Sequence, residues 1–184
     1  MRQLTVLTNI SLDGFYEAPG GDISSFTNDF PAFSSDSSAA VETVLLGRKT
    51  YDMMTFWATP QAYELQPEIA RYMNDTLKVV VTRNPAFQPG WKNVSVINTD
   101  VTARIAQLKQ QSGGSIIMFG SNTLCVSLLQ AGLIDELQIL VNPLAFGAGT
   151  SLFNGLPHKF AFNLVRTHAF PSGTVSLTYT PVRP

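Results

Sequence analysis

With 184 residues, 45% of them hydrophobic and 14% charged, the chain is too apolar for a disordered tract and long enough for one substantial core. Twelve cations against thirteen anions leave a net charge of −1, which excludes a nucleic-acid binder that works by neutralising phosphates. Cys125 is the only cysteine, so the sequence holds no intrachain disulfide and no cysteine-based metal centre, and no metal is expected.

The elements follow in chain order. Leu4 to Ile10 is a β-rich opening strand, closed by the turn Ser11-Leu12-Asp13-Gly14. A Gly/Pro-containing loop runs through Gly21, and residues 24 to 40 form a Ser-, Phe- and Ala-rich stretch in which a helix would begin, or be broken, at Pro31. Thr43 to Leu46 is a buried strand that passes through Gly47 directly into a helix. Trp57 to Pro67, with two prolines, reads as irregular, and Glu68 to Asn74 as a short helix. Leu77 to Thr82 has the apolar run of a buried parallel strand, and Val94 to Ile97 is a short one. Thr102 to Gln111 is an amphipathic helix.

Residues 110 to 134 carry no charge and mimic a membrane span. Gly113, Gly114, Gly120 and Ser121-Asn122-Thr123 interrupt the stretch, so it divides into a strand (Ser115 to Phe119), a turn and a helix (Asn122 to Ala131) stopped by Gly132. The start of the chain lacks the pattern of a secretion signal, and a cytoplasmic protein without a membrane partner is expected. Asp135 to Val141 is a strand, Gly147-Ala148-Gly149 a flexible loop, and Phe160 to Phe170 with Thr174 to Thr180 a hairpin around Pro171-Ser172-Gly173. Strands alternating with helices and closed by a hairpin predict a single α/β domain over residues 1–184, its sheet mostly parallel with an antiparallel C-terminal edge. Residues 137 to 158 carry no charge, which fits buried strands or a homodimer contact.

Three junctions share one chemistry. Leu46 runs into Gly47-Arg48-Lys49-Thr50, Val81 into Thr82-Arg83-Asn84, and Phe119 into Gly120-Ser121-Asn122-Thr123. In a parallel sheet all three lie at the carboxyl ends of strands, where ligands bind. Unpaired N–H groups and the positive dipole end of a helix start favour an anion, and Arg48, Lys49 and Arg83 add charge-assisted donors. Taken singly, each junction is equally a tight turn, a helix cap or a solvated surface. Together they suit an extended phosphorylated ligand. The six-residue glycine fingerprint of dinucleotide folds and the P-loop spacing are both missing.

The order of these pieces resembles the dihydrofolate reductase-like superfamily, in the branch of the riboflavin-biosynthesis reductase (RibD C-terminal) domain. The matching pieces are Ser11-Leu12-Asp13-Gly14, Leu46-Gly47-Arg48-Lys49-Thr50-Tyr51, Val80-Val81-Thr82-Arg83, Phe119-Gly120-Ser121, and Gly132-Leu133-Ile134-Asp135-Glu136-Leu137 with Pro143 and Gly147-Ala148-Gly149 downstream. The resemblance implies a three-layer α/β/α sandwich and an NADPH-dependent reductase of the 5-amino-6-(5-phosphoribosylamino)uracil reductase kind, acting on a small heterocyclic or carbonyl substrate. It implies that Gly47, Arg48, Lys49 and Thr50 hold the cofactor phosphates, with the 2′-phosphate at Arg48. Thr82 and Arg83 would bracket the adenosine, and Gly120, Ser121, Asn122 and Thr123 would approach the pyrophosphate. The chain departs from the family in having Ser121 where the turn has a second glycine. For catalysis, Asp13 is the expected proton donor, its alternative being a turn that closes the strand. For substrate, Phe26 and Trp57 would line an aromatic pocket, or be core, and the region where true folate reductases place a pterin-gripping carboxylate offers Asp29 and Asp36, each of them equally a solvated helix-end residue. A non-catalytic NADP-binding or dimeric interaction protein on the same fold is the alternative reading.

Overall fold

The structure, a computed structural model, describes residues 1–27 and 41–182. One eight-stranded sheet organises them. Its strands are β1 (Leu4–Ile10), β3 (Val41–Gly47), β4 (Leu77–Val81), β5 (Val94–Ile97), β6 (Ser115–Phe119), β7 (Glu136–Val141), β9 (Phe162–Ala169) and β10 (Val175–Pro181). They lie in the order β5-β4-β3-β6-β1-β7-β10-β9. Every neighbour from β5 to β7 is parallel, and β10 is antiparallel to both β7 and β9. The parallel strands are the short apolar runs seen in the sequence, buried on both faces as helix-covered strands must be.

Alternation along each strand sorts the apolar residues into two cores. Leu4, Val6, Leu45, Val79, Ile116, Met118, Leu137 and Ile139 face one side, where they meet Ile105 of α4 (Val101–Gln110) and Leu124, Leu128 and Leu129 of α5 (Asn122–Gln130). Leu7, Val44, Leu46, Val80, Ile117, Phe119 and Leu140 face the other, against Tyr51 of α1 (Arg48–Met54), Met73 of α3 (Pro67–Asp75) and Trp91. This is the α/β/α sandwich that the sequence resemblance implied.

The stretch expected to be irregular is largely helical. A 3-10 turn covers Thr55–Ala58 and α2 covers Pro60–Leu65, capped by Thr59, whose hydroxyl accepts from the Ala62 N–H. Pro60 and Pro67 open helices rather than break them, because at the first helical position the missing N–H has no partner to lose. A second, two-stranded ribbon pairs β2 (Phe15–Glu17) with β8 (Thr150–Ser151). At the other side of the molecule β9 is an open edge, with Leu164 and Val165 each 55% exposed. Among the described residues no helix is long and apolar enough to cross a membrane.

Gly132-Leu-Ile-Asp-Glu-Leu has a structural account. Asp135 accepts the Leu4 N–H at 2.8 Å and pairs with Lys109 of α4, whose ammonium also reaches the Leu133 carbonyl. One carboxylate thus joins the start of β1, the end of α4 and the entrance to β7.

Candidate functional site

The connections leaving β3 and β6 diverge. β3 feeds α1 and returns as β4 on one side, whereas its neighbour β6 feeds α5 and returns as β7, beyond β1 on the other side. Adjacent parallel strands whose connections leave in opposite directions open a crevice at their carboxyl ends, and ligands of α/β sheets bind there. The register brings the three sequence junctions to this crevice. Leu46 lies opposite Phe119, so Gly47 adjoins Gly120, and Gly47 lies opposite Val81, so Arg48 adjoins Thr82.

The floor of the crevice is a close approach of two turns. A Cβ built on Gly47 would stand 2.7 Å from the Ser121 hydroxyl and 2.9 Å from its Cβ, so position 47 has no room for a side chain. A Cβ on Gly120 would sit 3.5 Å from the Thr50 hydroxyl. Gly120 has φ +56° and anchors to β1 by donating its N–H to the Leu7 carbonyl. Ser121 holds φ 62°, ψ 91°, a conformation suited to glycine, and its side chain does not cap α5. Gly47 offers no side-chain cap to α1 either, so among the described residues neither helix start is capped by the side chain that precedes it.

Two of the three cations are already matched by carboxylates. The Arg48 Nε donates to both oxygens of Asp52, at 2.8 and 2.9 Å, and its guanidinium lies 4.0 Å over the Phe87 ring. Beside it runs a groove of about 340 Å³ lined by Tyr51, Phe87 and Trp91 among others. Lys49 donates to Glu17 at 2.6 Å. Arg83 makes no ion pair among the described residues and is exposed. Thr82 is buried, and its hydroxyl accepts the Asn84 N–H. Asn122 is also buried, but its amide donates to the carbonyls of Ser151, Leu152 and Asn154, so its side chain holds that loop and α5 offers an anion its backbone. Thr123 is exposed on the first turn of α5.

Asp13, the expected proton donor, sits in a hydrogen-bonded clasp between two loops. Its carboxylate accepts from the Ser11 hydroxyl at 2.5 Å, the Gly147 N–H at 2.7 Å and the Phe146 N–H at 3.2 Å. The Ser11 hydroxyl first, and then the two backbone donors, hold the Asp13 carboxyl below the ordinary aspartate range. It closes the turn after β1, as the alternative reading had it, and clasps that turn to the loop after β7. Glu17, which the sequence did not single out, completes the clasp with the Thr150 hydroxyl at 2.9 Å. Burial works against ionisation of Glu17, but Lys49 and Thr150 outweigh it and hold the carboxyl low. Gly149 is required here because a side chain on it would collide with the Glu17 carbonyl.

The expected aromatic pocket is not one cluster. Phe26 packs at a tilt against Phe146, ring centroids 5.2 Å apart and planes 50° to each other, while Trp57 packs on Phe56 and on the core beside α1 and α3. The neighbouring Thr27 is pinned through its N–H and hydroxyl to the buried Asn142 amide. Asp29 and Asp36 lie outside the described residues.

A switch-point junction with Gly47 against Gly120-Ser121 and Arg48 beside Thr82 places the three sequence junctions together in an α/β domain. The chain belongs to the RibD C-terminal domain family, which it matches over residues 2–176. It is 30% identical over 174 residues to the uncharacterised protein YwjB of Bacillus subtilis (strain 168), covering 92% of this chain and 94% of that one. The fold recurs in the dihydrofolate reductase of Enterococcus faecalis complexed with NADP(H), with TM-score 0.66, 18% identity, and 97% and 96% of the two chains covered. It recurs in RibD of Acinetobacter baumannii with TM-score 0.69 and 18% identity, where it spans 99% of this chain and 58% of that one. The fold is therefore that of the dihydrofolate reductase-like proteins.

Proposed function

We propose that the protein is an NADPH-dependent reductase that passes hydride to a small heterocyclic or carbonyl acceptor. The switch-point crevice, with Gly47 against Gly120-Ser121 and Arg48 beside Thr82-Arg83, carries the reading, and the NADP(H) complex of a protein with the same fold supports it. The residues present fit the group. Gly120 and the first turn of α5 offer backbone N–H groups to a pyrophosphate, and the lack of a side chain at Gly47 keeps the two turns in contact. Arg48 and Arg83 suit a 2′-phosphate, because guanidinium donors match phosphate oxygens in pairs. When bound, NADPH supplies the hydride. The chain's own part is to orient the cofactor, to exclude water where the Asp13 clasp closes the loops, and to select the acceptor. The open edge strand β9, with Leu164 and Val165 exposed among polar residues, is a candidate contact for the homodimer.

Titration of the protein with NADPH and NADH tests the reading. Arg48→Ala is expected to weaken NADPH by about ten- to a hundred-fold, the worth of one or two charge-assisted hydrogen bonds, and to leave NADH nearly unchanged. Equal loss for both cofactors removes the 2′-phosphate from Arg48. Failure of the wild-type chain to bind either at micromolar levels removes the reductase reading. NADPH that binds but is oxidised by no pterin, pyrimidine or quinone favours the non-catalytic alternative.

A further inference from the structure

Arg48 is not free to use all its donors. Both oxygens of Asp52 sit on Nε, and Phe87 covers one face of the guanidinium, so only the two terminal nitrogens remain for a ligand. A phosphate can meet them end-on, but the side-on pairing that uses Nε is already taken. Asp52 also brings a negative charge to the position where the ligand must bring its own. The Arg48 and Asp52 side chains are 41% and 50% exposed, so the pair itself is a weak surface contact that contributes little to folding.

We infer that Asp52 sets the cofactor preference: its carboxylate restrains the pull of Arg48 on the ribose 2′-phosphate and narrows the margin of NADPH over NADH. The inference rests on the assignment of Arg48 to the 2′-phosphate made above. Two effects of Asp52 oppose each other. As a support it fixes the guanidinium, and losing that support would weaken phosphate binding. As a like charge it repels the phosphate. The support is a solvent-exposed pair separated by one helical turn, worth about a factor of two. The repulsion acts between a carboxylate and a group carrying about 1.5 to 2 negative charges that share one guanidinium, and at such separations it is the larger effect even in a screened surface setting. Lys49 adds no surplus charge to compensate, because Glu17 already neutralises it. With 2′-hydroxyl in place of phosphate the repulsion vanishes, and a carboxylate beside a ribose 2′-hydroxyl is an acceptable hydrogen-bond partner.

The test is Asp52→Asn, whose amide oxygen can still accept from Nε and so keeps Arg48 in place. Dissociation constants for NADPH and NADH are measured on wild type and variant across a range of KCl. The expected result is NADPH tightened about three- to ten-fold in the variant, NADH unchanged or slightly weaker, and a steeper salt dependence for NADPH. Unchanged or weaker NADPH binding overturns the inference, the weaker case making Asp52 a support for Arg48. A gain shared equally by NADH overturns it too, because the effect would then lie at the pyrophosphate. Arg48→Ala on the Asp52→Asn background should erase the gain. If wild type binds NADPH and Asp52→Asn does not shift it, this inference alone fails; if wild type binds neither cofactor, the cofactor reading fails and takes the inference with it.

Discussion

The two ends of the parallel strands use the same pair of charges for opposite purposes. At the amino ends of β1 and β7, Lys109 is 2% exposed and Asp135 19%, and both also bond backbone groups that would otherwise be orphaned. At the carboxyl ends, the cations of the Arg48–Asp52 and Lys49–Glu17 pairs are 41% and 61% exposed. The first pair can exchange its partners only by unfolding. The second set is exposed and contributes only about 0–1 kcal/mol per pair to folding, and it leaves the terminal nitrogens of Arg48 open to a ligand while Asp52 stays on Nε. The difference separates a motif that secures the fold from one that is available to a ligand, although both read in the sequence as charged residues beside glycines. The larger surface groove, about 550 Å³, also lies at the amino ends, and Glu42, Glu68 and Asp75 on its walls make it a poor match for an anionic cofactor.

The sharpest way to break this comparison is to unpair the buried end. Lys109→Met leaves the Asp135 carboxylate without its counter-charge and is expected to cost about 3 kcal/mol or more in urea unfolding. The double variant Lys109→Met/Asp135→Asn removes the charge but keeps an acceptor for the Leu4 N–H, and should lose less than the single variant. If both lose the same amount, charge pairing is not what the buried end relies on.

Why Asp135 escaped a firm sequence reading is physical. Its partner Lys109 lies 26 residues upstream, on a helix whose polar positions all look solvated in the sequence. The parallel strands were legible because each is an apolar run too short for a helix, and α5 was legible because Leu124, Leu128 and Leu129 recur on one face. β2 and β8 were not, because strands of three and two residues carry no period and their pairing depends on Gly149 meeting Glu17 across more than 130 residues. α2 is not legible because Pro60 at its start and Pro67 beyond its end read as breakers. At the site, the cations and glycines were legible as types. The sequence reading did not single out Asp52, although its place four residues after Arg48 on the same helix face is a signal for the pair, whereas the Glu17 partner of Lys49, 32 residues away, leaves no such signal.

A smaller effect belongs to the carboxyl end alone. Ser121 holds φ 62° with a side chain that occupies the space a Gly47 Cβ would take. Strain of this kind is worth about 1 kcal/mol or a little more. Ser121→Gly relieves it but gives the unfolded chain more freedom, which takes back about half. The net expectation is a gain near 0.5 kcal/mol, read as a rise of about 1–2 °C in melting temperature. A destabilised glycine variant would show that the Ser121–Gly47 contact contributes more than the strain costs, and that the floor of the crevice is packed as tightly as the buried end.

The smallest expected effect is a pH dependence at the Asp13 clasp. The folded state holds this carboxyl below its ordinary value, through Ser11 first and the backbone of Gly147 and Phe146 after it. A lowered folded pKa means that the unfolded chain takes up a proton sooner as pH falls. The contribution is therefore fully present above the ordinary aspartate value, near pH 4, and is lost as pH drops from there through the folded value. Asp13→Asn should be less stable than wild type at pH 7, and the gap between their melting temperatures should close toward pH 3. A gap that stays constant between pH 7 and pH 3 would mean that Asp13 shapes the loop without acting through its charge. The same variant separates the clasp from catalysis. A proton donor at Asp13 would make turnover rise only where the carboxyl is protonated, in strong acid. A clasp leaves the neutral pH–rate profile with its shape unchanged and alters only its height, because the loops after β1 and β7 then close less often over the crevice.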